Sequence, residues 1–392
     1  MASGIYVHIP YCLQRCPYCD FATYKFDETI PVEKYLNALH NEVQTRASEV
    51  PFRELDTIYF GGGTPSLLEP SQLSEIISQI TRQGFKIKPD AEVTLEINPG
   101  TISENKIKNF MSLGINRFSV GAQTLSDRLL KLIGRKHSAN DTLETLRQLK
   151  AANVNFSVDV LFALPTQTLN DLSLDLETVL SFSPPHISPY YLTIPTGHPL
   201  QINRPSENTE LEMFELMTTK LVSRGYEQYE ISNFALPGRH SRHNCLYWRD
   251  DSYWGIGLSA HSYFNSPGWG QRFWNPKTME GYIEQVPKYS IKTLPEGQLE
   301  KLSKSESLTD FCHTFLRTMN GIPKGAVRRK FGENCEALVA ARLTNLLPSG
   351  LVGETNSHWQ LSASGRLLSN QVFSHILFTS ECIDYNLSSD GR

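Results

Sequence analysis

The chain has 392 residues, a formal net charge of −4, and a composition that is 40% hydrophobic and 20% charged. That length allows two or three domains, or one large barrel with an appendage, and no run approaches the roughly 20 apolar residues that cross a bilayer. The start, MASGIYVHIPYC, carries no signal or transit pattern, so a cytoplasmic protein without a transmembrane segment is expected; mild acidity argues against nucleic-acid binding.

The first half alternates short apolar strands with amphipathic helices. Residues 5–9 read as a strand ending at Pro10, just before a cysteine-rich loop, and Val32, Tyr35, Leu36, Leu39 and Val43 follow at helical spacing. Residues 57–60 form the next strand, stopped by Gly61, Gly62 and Gly63. Pro70 opens a helix carrying Leu73, Ile76, Ile77 and Ile80, and Gly84 ends it. Residues 93–97 are a third strand; Ser103 caps a helix with Ile107, Phe110 and Met111 inward, closed by Gly114. Strands at 117–120 and 156–162 flank a helix marked by Leu143, Leu146 and Leu149. Thr168 with Asp171 resembles a capping box, and residues 187–192 make a sixth strand. Such units predict an α/β fold with a parallel sheet, open or curled into a barrel, whose functional loops lie at the C-terminal strand ends.

From about residue 205 the pattern changes. The division expected is a β/α unit over 1–205, the one that the resemblance below makes a barrel, an aromatic-rich connecting region over 206–295 and a small unit over 296–385. Helices at 310–319 and 335–346, followed by GLVGETNSHWQLSASGRLL, read as a helix and hairpin of winged-helix type. Lys324, Arg328, Arg329 and Lys330 give this unit a basic patch, read as a solvated face in preference to a DNA contact.

Chemistry concentrates in the cysteines. Cys12, Cys16 and Cys19 form a C-x3-C-x2-C cluster, whereas Cys245, Cys312, Cys335 and Cys382 are scattered. An odd count in a chain this long is no disulfide framework. Structural zinc needs four ligands, here obtainable only by adding Asp20 or His8; an iron–sulfur cluster on three thiolates leaves one iron open to a small molecule. The triple glycine lacks the endings of a phosphate loop or dinucleotide fingerprint, and either makes a tight turn or lets a ligand approach bare backbone. Glu96 and Asp159 on apolar strands, with Gln123 and Arg135 beyond strand ends, are polar groups that are costly unless paired or used.

The cysteine spacing, with Tyr18 before the third cysteine, is similar to the signature of the radical S-adenosylmethionine (SAM) superfamily. Tyr6-Val7-His8-Ile9-Pro10, Gly-Gly-Gly-Thr-Pro at 61–65, and Gln123, Arg135 and Asp159 resemble the oxygen-independent coproporphyrinogen III dehydrogenase family within it. The resemblance implies a partial (β/α)6 barrel with a helical, winged-helix-like C-terminal part. It further implies a [4Fe-4S] cluster on Cys12, Cys16 and Cys19, with SAM at the open iron amid Tyr6, Tyr18, Gly62, Gly63, Thr64, Glu96, Gln123, Arg135 and Asp159. An electron donor such as a flavodoxin or ferredoxin would reduce that cluster and yield a 5′-deoxyadenosyl radical.

Two branches of the family differ here. The dehydrogenase carries a further cysteine two residues after the third ligand, where this chain has Phe21, and an N-terminal extension, where eleven residues precede Cys12. The heme chaperone branch is marked by His-Asn-x-x-Tyr-Trp, present as His243-Asn244-Cys245-Leu246-Tyr247-Trp248. That resemblance implies heme as cargo, an unidentified acceptor hemoprotein, His243 as an iron ligand and Tyr247 and Trp248 against the porphyrin. Cys245 would be a second ligand or a spectator, and Arg242 and Arg249 would face propionates. The competing expectations are oxidative decarboxylation of coproporphyrinogen III to protoporphyrinogen IX, and radical chemistry on an unrelated substrate.

Overall fold

The computed structural model describes residues 2–381 and 383, which leaves Cys382 outside the described residues. In chain order the strands are β1 (Ser3–Ile9), β2 (Tyr11–Cys12), β3 (Tyr24–Lys25), β4 (Glu54–Gly62), β5 (Lys86–Ile97), β6 (Arg117–Gln123), β7 (Asn155–Phe162) and β8 (His186–Tyr191). They continue as β9 (Glu227–Glu230), β10 (Asn233–Ala235), β11 (Ser252–Ile256), β12 (His261–Phe264), β13 (Gln271–Trp274) and β14 (Leu299–Lys301). The last three are β15 (Ile322–Pro323), β16 (Val352–Glu354) and β17 (His358–Leu361).

Among the described residues a twelve-stranded sheet runs β14-β13-β12-β11-β1-β4-β5-β6-β7-β8-β10-β9. Its centre, from β1 to β8, is six parallel strands, the parallel sheet expected from the alternation and the barrel arc implied by the resemblance. The helices between them are α1 (Val32–Arg46), α2 (Pro70–Arg82), α3 (Glu104–Ser112), α4 (Asp127–Leu132), α5 (Ala139–Ala151) and α6 (Leu169–Ser181). Their starts follow the sequence signals. Ser103 accepts a hydrogen bond from the Lys106 amide, and Thr168 and Asp171 form the expected capping box. Met111, expected inward, is 38% exposed, because α3 lasts nine residues and buries only the Ile107 and Phe110 stripe.

Strand alternation sorts the side chains. Ile5, Val7, Ile58, Phe60, Leu95, Phe118, Val158 and Ile187 point outward into the core shared with the helices. The intervening positions, including Tyr59, Glu96, Ser119, Asp159 and Ser188, face a cavity inside the arc. The barrel is therefore apolar outside, beneath its helices, and polar within.

The stretch 206–295 extends the same sheet. After α7 (Glu207–Ser223), β9 and β10 continue from β8, while β11 lies parallel to β1 and leads to β12–β14. Its Met213, Phe234, Trp254 and Tyr282 join the barrel's core, so no separate connector is visible there. The expected lack of regular elements reflected strands of only three to five residues, too short for periodicity to register.

Between β10 and β11 lies α8 (Arg242–Trp248), and α9 (Met279–Gln285) follows β13. The C-terminal unit has its own core around Phe311, Phe331, Val339 and Trp359. It is built from α10 (Lys304–Arg317), α11 (Lys324–Phe331), α12 (Glu333–Thr344), α13 (Ala363–Leu367), α14 (Ser369–His375) and the sheet β15-β17-β16. The helix-and-hairpin of winged-helix type is thus present. Its basic patch is largely neutralised within the chain: Lys324 pairs with Glu354, Arg328 with Glu336 and Lys330 with Asp250. No helix among the described residues is long and apolar enough to cross a membrane.

Candidate functional site

The cysteine loop leaves β1 at Pro10 and crosses the C-terminal end of the barrel arc. Tyr24 and Phe26 amides bond to the Pro10 and Cys12 carbonyls and close it as a loop. Cys12, Cys16 and Cys19 line one cavity of about 540 Å³ together with Tyr18, Gly62, Gly63, Glu96, Gln123, Arg135 and Asp159. Most of the side chains expected around SAM therefore meet in one place. Tyr6 and Thr64 stand just behind its wall. The Thr64 hydroxyl reaches Cys12 Sγ at 3.6 Å and accepts from Asn98 Nδ2 at 2.6 Å, while Tyr6 donates to His8 Nδ1 at 3.1 Å.

Each glycine of the triplet has a distinct reason. A Cβ on Gly61 would meet Glu96, one on Gly63 would strike the Ile9 and Tyr11 carbonyls, and Gly62 has φ +106° with His8 at its back. The bare Gly62 amide then donates to Glu96 Oε2 at 3.0 Å, and Tyr59 donates to Oε1 at 2.7 Å. Burial pushes the Glu96 carboxyl up to about 7 despite those donors, and burial likewise raises Asp159 to about 6. Arg135 is tied to the cluster loop: Nη1 approaches Cys16 Sγ at 3.8 Å, and Nη2 donates to Asn98 Oδ1 at 2.7 Å and to the Gly121 carbonyl at 2.8 Å.

The donor set suits a cluster better than a single ion. Three thiols from one loop reach the cavity, and four thiolates are the usual ligands of such a cluster, so three leave one iron open. His8, one alternative zinc ligand, is committed: Nε2 bonds the Ala22 carbonyl at 2.9 Å, so Nδ1 accepts from Tyr6. Burial lowers it to about 4. Asp20, the other, is exposed. Phe21, where the decarboxylase branch has a cysteine, is 60% exposed at the cavity rim.

The His-Asn-x-x-Tyr-Trp segment lies at the opposite end of the barrel. It forms α8, capped by Ser241 and packed on the N-terminal parts of β1 and β4; a Cβ on Gly4 would collide with Thr57 and Leu246. Glu92 accepts the Arg242 and His243 amides at 3.1 and 3.0 Å, an acidic partner for the helix start. His243 is 1% exposed; Nδ1 pairs with the Thr57 hydroxyl at 2.7 Å and Nε2 with the Tyr247 hydroxyl at 2.9 Å. Burial lowers its pKa to about 3, so the ring is neutral. The expected iron ligand thus has both nitrogens engaged inside the barrel.

The aromatic rings of the motif are packed, although Trp248 Nε1 is buried without a hydrogen-bond partner among the described residues. Tyr247 packs edge-on against Tyr253, and the Arg317 guanidinium of α10 lies 4.7 Å over the Trp248 ring. Cys245 is 8% exposed, and burial raises its thiol to about 11. Together with Arg242 and Arg249 it lines a separate crevice below the barrel, where Arg242 already contacts Asp90 and Asp56. Of the motif only Asn244 reaches the main cavity. Sequence reading passed over Thr57, Tyr59, Asn98 and Arg117 in this interior. The usable signal was their inward alternation along β4, β5 and β6, which is visible once the barrel face is known.

A three-cysteine loop across the open end of a β/α barrel arc, above a polar cavity, defines a radical SAM protein, and the family model described as the Radical SAM superfamily matches residues 6–179. The chain is 33% identical to the heme chaperone HemW of Bacillus subtilis (strain 168), covering 96% of this chain and 99% of that protein. It is 37% identical to the heme chaperone HemW of Buchnera aphidicola subsp. Schizaphis graminum, covering 94% and 96%. The chain belongs to the HemW family. Coproporphyrinogen III oxidase (HemN) from Escherichia coli superposes with a TM-score of 0.81 over 96% of this chain and 90% of that one, at 22% identity, a likeness of fold.

Proposed function

We propose that this protein is a heme chaperone: it takes up heme and passes it to an acceptor hemoprotein. The observation that carries this reading is near-full-length similarity to HemW chaperones, with Phe21 where the decarboxylase branch has a cysteine. Cys12, Cys16 and Cys19 would hold a [4Fe-4S] cluster. Gly62, Gly63, Glu96, Gln123, Arg135 and Asp159 would surround SAM at the open iron, with Arg135 suited to its carboxylate and Glu96 to hydroxyls or an amine. When bound, that pair supplies one-electron chemistry, and the chain's own part is to seat the ligands and shield them. A small reductant protein would donate the electron.

His243 enters this proposal through its position. To bind iron it would have to release both Thr57 and Tyr247, so in the arrangement described it braces the cavity floor from below. The test is anaerobic reconstitution followed by titration with hemin, read at the Soret band, in parallel with coproporphyrinogen III, SAM and a reductant. Saturable hemin binding without protoporphyrinogen IX formation is expected. Turnover of coproporphyrinogen III would overturn the chaperone reading.

A further inference from the structure

We propose that Arg117, at the floor of the barrel cavity, is the seat of a ligand carboxylate distinct from the one that Arg135 suits near the cysteines. The proposal rests on the heme-chaperone reading and extends it, since heme carries two propionates.

Arg117 is the first residue of β6 and is 2% exposed, yet it lines the main cavity. Its one charged contact is Nε to Glu92 Oε2 at 3.9 Å, too long for a hydrogen bond, and Nε has no acceptor among the described residues. Glu92 is occupied elsewhere, accepting the Arg242 and His243 amides. A guanidinium carries five N–H donors in a planar fork, and leaving them unmatched in a buried site is costly. The other buried arginine of the core shows the usual solution: Arg46, 1% exposed, donates to Glu42, Asn275 and the Tyr289 carbonyl. Arg117 departs from that pattern at a point where the chain provides a cavity.

The levels of the cavity separate the two arginines. Arg117 faces inward two alternations below Gly121, whose carbonyl Arg135 holds, a rise of about 13 Å between the two strand positions. Register places Arg117 beside Thr94 and Asn155, one layer beneath Glu96 and two beneath Asp159. Its own layer holds neutral polar groups, with Glu92 set back at the α8 start. Tyr59 shares its layer, and Ser119 and Ser188 line the levels above together with the Glu96 and Asp159 carboxyls, whose charge burial suppresses. A planar carboxylate descending from the open mouth meets a fork donor with matching geometry. Ligand chemistry of this kind has two sources, a porphyrin propionate or the amino-acid end of SAM, and the propionate is the one assigned here because Arg135 stands where SAM meets the cysteines.

The experiment uses the full-length, cluster-reconstituted protein, titrated anaerobically with hemin and with hemin dimethyl ester, while SAM binding is followed by equilibrium dialysis. The expected result is that the native protein prefers hemin to its ester by at least about tenfold. Arg117→Met should abolish that preference with SAM binding, cluster content and melting curve retained, and Arg117→Lys should restore part of it. Equal binding of hemin and its ester by the native protein overturns the proposal even if Arg117→Met fails to fold. Loss of SAM binding in Arg117→Met, with hemin affinity unchanged, assigns the carboxylate to SAM and overturns it too. A native protein that binds no hemin at all removes the chaperone reading itself, a result distinct from either.

Discussion

The two ends of the barrel obey opposite rules. At the cysteine end, ionisable groups are held in unfavourable states, with Glu96 and Asp159 pushed upward by burial and three thiols gathered on one loop. At the α8 end, the polar groups of the motif's histidine are matched: its amide to Glu92, and its ring nitrogens to Thr57 and Tyr247. An end that stores unsatisfied chemistry is built to receive something, and a histidine matched at its amide and both ring nitrogens is built to hold still. Arg117 belongs by position to the lower end and by its lack of partners to the upper one, which is what singles it out.

This contrast can be broken by substitution. Cys16→Ser should abolish the visible absorbance of the reconstituted cluster while leaving the ligand-free fold nearly as stable; iron content that persists would remove the ligation assignment. His243→Ala should instead act on the fold. It empties a buried site and strands the Thr57 and Tyr247 hydroxyls, at a cost of about 2–4 kcal/mol in denaturant unfolding. An unchanged midpoint would show that α8 is not the brace described.

Arg317→Met should cost about 1–2 kcal/mol, because it leaves the fully buried Glu230 without its cation and uncovers Trp248. Limited proteolysis should then release the C-terminal unit sooner. A further effect is one of pH. Glu96 and Asp159 have folded-state values raised above their ordinary ones, so their ionisation opposes folding. Their favourable contribution is complete below about pH 4 and is lost as pH rises through about 6 to 7. Ligand-free stability should fall across that window, and Glu96→Gln should flatten the fall. A slope that is the same in the variant contradicts the burial of this carboxyl.

The upper end was the more legible in the sequence, for a physical reason. Three thiols that meet on one loop must lie close along the chain, so Cys12, Cys16 and Cys19 identify themselves, and the glycines at 61–63 register a close approach that tolerates no Cβ. Glu96 and Asp159 stood out as charges among β-branched and aromatic neighbours. The lower end was not legible, because α8 has seven residues and its direction is set by contacts with strands some 150 and 190 positions away. Spacing alone therefore left His243 as a hydrogen-bonded loop histidine, and only the motif's resemblance made it an iron ligand. Arg117 escaped notice as an ordinary cation at a strand start. The sheet margins beyond β8 and β11 were hidden by strands too short to show a period.

The central proposal is that this chain carries heme in the barrel whose cysteine loop would hold the cluster. Its most direct test is a titration of the reconstituted full-length protein with hemin, monitored at the Soret band under anaerobic conditions. The account predicts a saturable transition at one heme per chain that survives gel filtration. Binding that fails to saturate, or heme that separates completely from the protein on the column, would contradict it.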